Sequence, residues 1–231
     1  VDYSQDVSIS DGILKQVSDA YRKFRNSFRF VLGNLDDFGH DDLVSSWEDL
    51  EPVDRYFLAR AATLAESADA AYGECRFMAV YRECYEFVNE LSSVYLDVTK
   101  DRLYSEAPDS PRRRAVQSVL ANILEVLVRV LAPILSFTCD EVWENYPPRM
   151  RGEGRPFSVQ LAGWPRRGDF MPSLPADGGA AEMERFAVAL EAREVATKAL
   201  EEARARKEVN KSQEASVCIA APADQLAVLT A

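Results

Sequence analysis

Apolar and aromatic residues in the first part of the chain recur in alternating steps of three and four: Leu14, Val17, Tyr21, Phe24, Phe28, Val31 and Leu35. That period places all of them on one helical face, and predicts a helix packed along this seam against other helices. Ser10 is placed to cap its start, with Asp11 as a favourable acid in the first turn. Gly33, Asn34 and the acidic stretch after Leu35 end it. Asp36 to Leu50 reads as a loop with Trp47 packed on the bundle. Pro52 suits the first turn of a second helix, which is expected to stop around Gly73. A third helix is expected from about Glu74 to Tyr104, with Phe77, Val80, Tyr81, Cys84, Phe87, Val88, Leu91, Val94 and Tyr95 on helical spacing. EAPDSPRRR is a boundary, where Ser110 caps and Pro111 opens a fourth, strongly apolar helix running to about Leu135 and kinked or ended by Pro133. Thr138 and Glu141 have the spacing of a capping box for a short helix through Trp143 to Tyr146.

From Pro147 to Gly179 prolines and glycines crowd together, which predicts a long connection with little regular structure. Within it, FSVQLAGWP is expected to lie extended against the bundle. A last long helix is expected from about Ala181 to Lys207. ASVCIAA alternates like a strand, and PADQLAVLTA opens another helix. A strand with no partner cannot satisfy its ladder, so the chain is expected to break off inside a larger unit. The fold class is therefore mainly α: an up-and-down helical bundle over residues 1–149, a connection over 150–180, and over 181–231 a long helix with the start of a small α/β unit.

Length changes this picture little: 231 residues suffice for a sizeable core. No apolar run reaches the roughly 18 residues of a membrane span. Val116 to Leu135 comes nearest and is interrupted by Asn122, Glu125, Arg129 and Pro133. The acidic opening VDYSQDVSISDG is unlike a signal peptide. None of the four cysteines forms a Cys-x-x-Cys pair and the single histidine is His40, so no metal site is expected and the thiols fit a reducing, cytoplasmic setting. With no Gly-rich phosphate loop and no nucleophile elbow, no catalytic centre and no bound cofactor are expected either.

The net charge of −11 argues against nucleic acid as a partner, but it conceals local clusters. Acid dominates Asp36 to Glu51 and Glu182 to Glu202, while arginine gathers at Arg22 to Arg29 and Arg112 to Arg114. Beside the apolar seam of the first helix lie Lys15, Ser18, Arg22, Arg25, Asn26 and Arg29, again three or four apart. Arginine's planar fork suits phosphate, and Asn26 can pair with a base edge. The competing reading is a solvated arginine face tied to nearby acids. Tyr21 can stack on a base, although its place in the seam favours the core. Lys100 and Arg102 end the third helix, where cations are favoured by the dipole and by Asp97 and Asp101. Lys207 and Lys211 form a bare charge pair.

At these residues the chain resembles isoleucyl-tRNA synthetases of the bacterial type. The stretches that carry the likeness are DYSQDVSISDGILKQVSDAYRKFRNSFRFVLGNLDDF, VYLDVTKDRLYSEAPDSPRRRAVQSVL and LVRVLAPILSFTCDEVWENYP, with ALEEARARKEVNKSQEASV after the connection. The resemblance implies a helical domain that follows a catalytic domain of the same polypeptide and docks on the anticodon stem-loop of isoleucine tRNA. It further implies that the His-x-Gly-His and Lys-Met-Ser-Lys-Ser nucleotide-binding motifs, absent here, belong elsewhere in the parent. The parent would use ATP with Mg and, in many members, a structural zinc outside this chain. Carried onto this sequence, RNA contact is expected of Arg22, Arg25, Asn26 and Arg29, then of Lys100 and Arg102, which alternatively hold the bundle to the catalytic domain. VNKSQEA departs from the glycine-rich lysine stretch of relatives, which weakens a role for Lys207 and Lys211. A valyl, leucyl or methionyl relative fits KDRLY and APDSP less well. The competing function is a helical scaffold that packs on the catalytic domain and has little RNA affinity of its own.

Overall fold

The computed structural model describes residue 6 and residues 8–166, 174–211 and 214–230. It divides into two compact units, Val1–Gly178 and Gly179–Ala231. The first unit is the helical bundle. Its α1 (Asp11–Asn34) begins as the sequence predicts, with Ser10 Oγ accepting from the Ile13 amide at 3.3 Å. Only the second half of its seam is buried. Phe24, Phe28, Val31 and Leu35 are in the core, whereas Leu14, Val17 and Tyr21 stay exposed, Val17 at 59%. The expected continuous seam is thus a half seam, because no described element of the bundle covers the first turns of α1.

The loop after α1 contains two short 3₁₀ turns, and Trp47 packs into the core as expected. Asp37 anchors this loop to the helix of Arg113. It accepts from Arg113 Nη1 at 2.6 Å and from Gln117 Nε2 at 2.8 Å. These donors, Arg113 first, hold its carboxyl at about 2 against the opposing cost of burial.

Helix α2 (Pro52–Gly73) opens on its proline. Gly73 does not stop it by a left-handed turn. Cys75 takes that conformation instead, at φ 57°. The Cys75 amide bonds Tyr72 O at 3.0 Å and the Arg76 amide bonds Ala71 O at 2.8 Å, the hydrogen-bond pair of a Schellman ending. The third helix therefore starts later than expected, as α3 (Phe77–Glu90). It is also not continuous. A π-helical turn (Leu91–Tyr95) leads into the short α4 (Leu96–Val98) and then α5 (Lys100–Ser105). Such a turn inserts one residue and rotates everything beyond it on the helix surface.

Helix α6 (Pro111–Leu131) is buried almost all round, with Val116, Leu120, Ile123, Leu124, Leu127 and Val130 at its centre. It packs against α1, α2 and α5 and against α7 (Ser136–Glu144). Pro133 lacks the amide that a further turn would need, and α6 ends two residues before it. The expected capping box at Thr138 does not form. The helix already starts at Ser136, so Thr138 lies inside it and bonds the Tyr21 hydroxyl across to α1 at 3.0 Å. The connection lies against the bundle, as a 3₁₀ turn at Val159–Leu161 more than as an extended strand. Val159 is buried and its amide reaches Asp140 at 3.0 Å. Trp143 Nε1 donates to Pro156 O at 2.8 Å. The Arg155 guanidinium lies over Trp143, its Cζ 3.3 Å from the ring centroid. Gly168 and Pro172 of the expected connection lie outside the described residues.

In the second unit α8 (Ala180–Ala205) packs on α9 (Ala223–Leu229), and α8 has no buried residue. The expected strand at ASVCIAA is absent: residues 215–221 carry no regular structure, and no strand occurs among the described residues. An alternating segment becomes a strand only where a neighbour completes its hydrogen-bond ladder.

Candidate nucleic-acid interface

Helix α1 presents its outward face as the sequence predicts. Arg22, Arg25, Asn26 and Arg29 are all exposed. A shallow groove flanks this face on either side.

On the α7 side the groove has a volume of about 420 Å³ and contains Arg25, Arg29, Thr138, Glu141 and Asn145. Arg25 is engaged there by a two-bonded fork, Nη1 to Glu141 Oε2 at 2.7 Å and Nη2 to Oε1 at 3.1 Å. This fork draws the Glu141 carboxyl below its ordinary range. The Tyr21 hydroxyl beside it is also lowered, by its bond with Thr138 first and by Arg25 second. A phosphate approaching Arg25 must therefore compete with a carboxylate already in place. Arg29, one turn on, makes no ion pair among the described residues.

The groove on the other side, about 530 Å³, runs between α1 and the π turn. It brings together Arg22 and Asn26 of α1 with Lys100 of α5. Three of the six expected contact residues, with Lys100 standing 74 positions beyond Asn26 in the sequence, so share one concave surface. The acids here bind loosely. Arg22 meets Asp19 at 3.4 Å and Lys100 meets Asp97 at 2.9 Å, all four side chains more than half exposed. Exposed pairs of this kind hold their partners by at most about 1 kcal/mol. Lys23, Phe30 and Ser92 also contribute, and the sequence reading missed all three. Lys23 was legible as a neighbour of the cationic stripe. Ser92 was not, because its position depends on the residue inserted by the π turn.

Arg102 does not belong to this surface. It is 5% exposed. Its guanidinium donates to Asp54 Oδ2 at 2.6 Å and Oδ1 at 3.2 Å, to Glu51 at 3.2 Å and to Arg112 O at 2.9 Å. Asp54, with no exposed surface, also accepts from the Tyr95 hydroxyl at 2.7 Å. Burial pushes the Tyr95 phenol well above its ordinary value, with the Asp54 charge adding to it. The expectation of RNA contact at Arg102 is corrected accordingly. Lys100 and Arg102 stand two residues apart, about 200° around the helix, so with Lys100 outward Arg102 faces in, where a buried charge must be paired. The Arg112 to Arg114 cluster is likewise engaged, by Glu51 and Glu106, by Asp37, and by Asp37 with Asp42. On α1 the competing reading of arginines tied to acids holds at Arg25 and, more loosely, at Arg22, but not at Arg29.

The described residues thus present an exposed cationic helix face beside a groove on a mainly α bundle. The chain belongs to the family described as the anticodon-binding domain of tRNA ligase, whose model matches residues 54–219. Helix α1 precedes that span. The relatives cover it: the isoleucine–tRNA ligase of Geobacillus thermodenitrificans is 44% identical over 232 residues, 100% of this chain and 24% of its own length. That of Geobacillus kaustophilus is 45% identical, covering 95% of this chain and 23% of the relative. That of Brevibacillus brevis is 41% identical, with 98% and 24% covered. The chain thus spans about a quarter of the curated relatives it matches. Among the described residues no helix is long and apolar enough to cross a membrane, and no three His, Cys, Asp or Glu side chains gather as a metal site would need.

Proposed function

We propose that this chain is the tRNA-binding helical module of an isoleucine–tRNA ligase, and that it holds the anticodon stem-loop of isoleucine tRNA through the outward face of α1 and the groove beside it. The observation that carries this reading is the meeting of Arg22, Asn26 and Lys100 on one exposed surface of a chain from the anticodon-binding family. Arg29 extends the same face. Arg25 contributes less, because Glu141 already occupies its fork. The module is non-catalytic by itself. Isoleucine activation with ATP and Mg, and any structural zinc, belong to other parts of a cytoplasmic parent enzyme, whose catalytic domain is the second partner.

The test is binding of this chain to isoleucine tRNA and to a non-cognate tRNA across a salt series. Affinity should fall with salt along a log–log slope set by the number of phosphates contacted, and should favour the isoleucine tRNA. Arg22→Ala and Arg29→Ala should each cost about 1 kcal/mol of binding with the bundle still folded. Unchanged affinity in the double variant would remove α1 from the interface.

A second reading has its own support. The first turns of α1 expose Ile13, Leu14 and Val17, and Phe137, next to the Thr138 that bonds Tyr21, is 93% exposed. Apolar side chains grouped in this way favour a protein partner, and the catalytic domain of the same polypeptide is the partner proposed. Tight binding to the separated catalytic domain, with no RNA affinity, would make scaffolding the main role.

A further inference from the structure

The two grooves beside α1 both have apolar walls, Phe28, Leu32 and Val142 on the α7 side and Phe30 and Leu96 on the other. They differ in how their cations are held. On the α7 side Arg25 gives both arms of its fork to Glu141, at 2.7 Å and 3.1 Å, a residue 116 positions away on another helix. The pKa values move as a formed pair requires: Arg25 rises, through Glu141 first and the Tyr21 hydroxyl second, and Glu141 falls. On the opposite side Arg22 meets Asp19 through one contact at 3.4 Å within a single helix. The fork is not needed to join α1 to α7. The Tyr21 hydroxyl already bonds Thr138 at 3.0 Å, and Phe28 and Val142 are buried along the same groove. An ion pair whose side chains are 50% and 53% exposed adds little to stability.

We propose that Glu141 is a positioning residue: its carboxylate closes the α7-side groove to nucleic-acid backbone, and so confines the bound RNA to the opposite flank of α1. The proposal rests on the reading of the chain as an RNA-binding module and names the residue that decides which flank is used. A phosphate entering the α7-side groove must break the Arg25 fork and then lie beside a like charge. Apolar walls strengthen that repulsion, because little water intervenes. Without the carboxylate the groove would offer Arg25 and Arg29 together, one turn apart, as a second track for a backbone. Arg29 is exposed on the outward face itself, so RNA reaches it without entering the groove. The opposite flank sets Arg22, Lys23 and Lys100 against the loosely held Asp19 and carries no such barrier. Selectivity between two modes of binding is gained by penalising the wrong one as well as by favouring the right one.

The experiment uses two RNAs, isoleucine tRNA and a blunt RNA duplex, which presents backbone and no loop. Glu141→Gln removes the carboxylate charge. Glu144→Gln, at an exposed position of the same helix, makes the same change in net charge and leaves the Arg25 fork in place. Relative to Glu144→Gln, Glu141→Gln should bind the duplex about five-fold more tightly, with a salt slope steeper by about one. It should bind isoleucine tRNA no more tightly than Glu144→Gln does. Adding Arg25→Ala should erase the gain for the duplex, and Glu141→Ala should reproduce it. Urea midpoints of Glu141→Gln and the parent should agree closely, which a mainly structural role for the pair would not allow. A variant folded by circular dichroism that shows no gain for the duplex, an equal gain for both RNAs, or a gain that survives Arg25→Ala would overturn the role of Glu141 while leaving RNA binding intact. Binding of neither RNA by the parent chain would overturn the RNA-binding reading itself.

Discussion

Replacing Arg102 by alanine should damage the fold and not the RNA surface. The Arg102 side chain is 6% exposed and that of Asp54 is 0% exposed. In the variant the carboxylate keeps two neutral donors, the Tyr95 hydroxyl at 2.7 Å and the Glu51 amide at 3.2 Å, and loses its only ion-pair partner among the described residues. The Arg112 carbonyl also loses the two bonds it accepts from Arg102. Removing one member of a buried ion pair costs about 3–5 kcal/mol, a large part of the stability of an ordinary domain. Urea denaturation followed by helical circular dichroism reads this directly as a lower midpoint at unchanged slope. Replacing both partners, Asp54→Leu with Arg102→Met, should recover most of the loss, because no unpaired charge remains. RNA affinity measured well below the unfolding midpoint should equal that of the parent. A loss under 1 kcal/mol, or a folded Arg102→Ala chain whose RNA affinity falls as far as that of Arg22→Ala, would refute the argument.

Asp37 makes stability depend on acid. Its pKa of about 2 lies below the value of 3.8 expected when unfolded, so its contribution is complete above about pH 4 and is lost as pH falls toward 2. Because the side chain is 40% exposed, solvent screening reduces this to on the order of 1 kcal/mol; Asp37→Asn should flatten the acid limb of the midpoint-against-pH curve by that amount. Cys75→Gly should stabilise the bundle by roughly 1 kcal/mol in the same denaturation assay, since a left-handed residue carries a side-chain penalty that glycine avoids. Trp143→Phe removes the bond to Pro156 O and the large ring under Arg155. It should cost about 1–2 kcal/mol and make the connection after Arg151 more sensitive to limited proteolysis.

Local chemistry in the sequence sufficed for the helices with clear periodicity and caps. Ser10, Pro52 and Pro111 mark the starts of α1, α2 and α6 because capping and proline geometry act within one turn. The outward face of α1 was legible for the same reason: a 3.6-residue period orders side chains around a helix whatever it packs against. The sequence could not say how much of an apolar face finds a partner. Leu14, Val17 and Tyr21 continue the seam of Phe24 and Phe28 without a break, yet only contacts from distant segments bury the latter pair. Nor could it say which arginines remain free. Arg25 and Arg29 are alike in spacing, and only the arrival of Glu141 from 116 residues away separates them. Lys100 and Arg102 are the sharpest case. They stand two residues apart in one cationic motif, about 200° around a helix, so they cannot share a face, and only the packing decides which of them goes to the groove and which to the core. That choice belongs to the tertiary structure, because the buried Asp54 can be neutralised only by a cation that the helix carries inward.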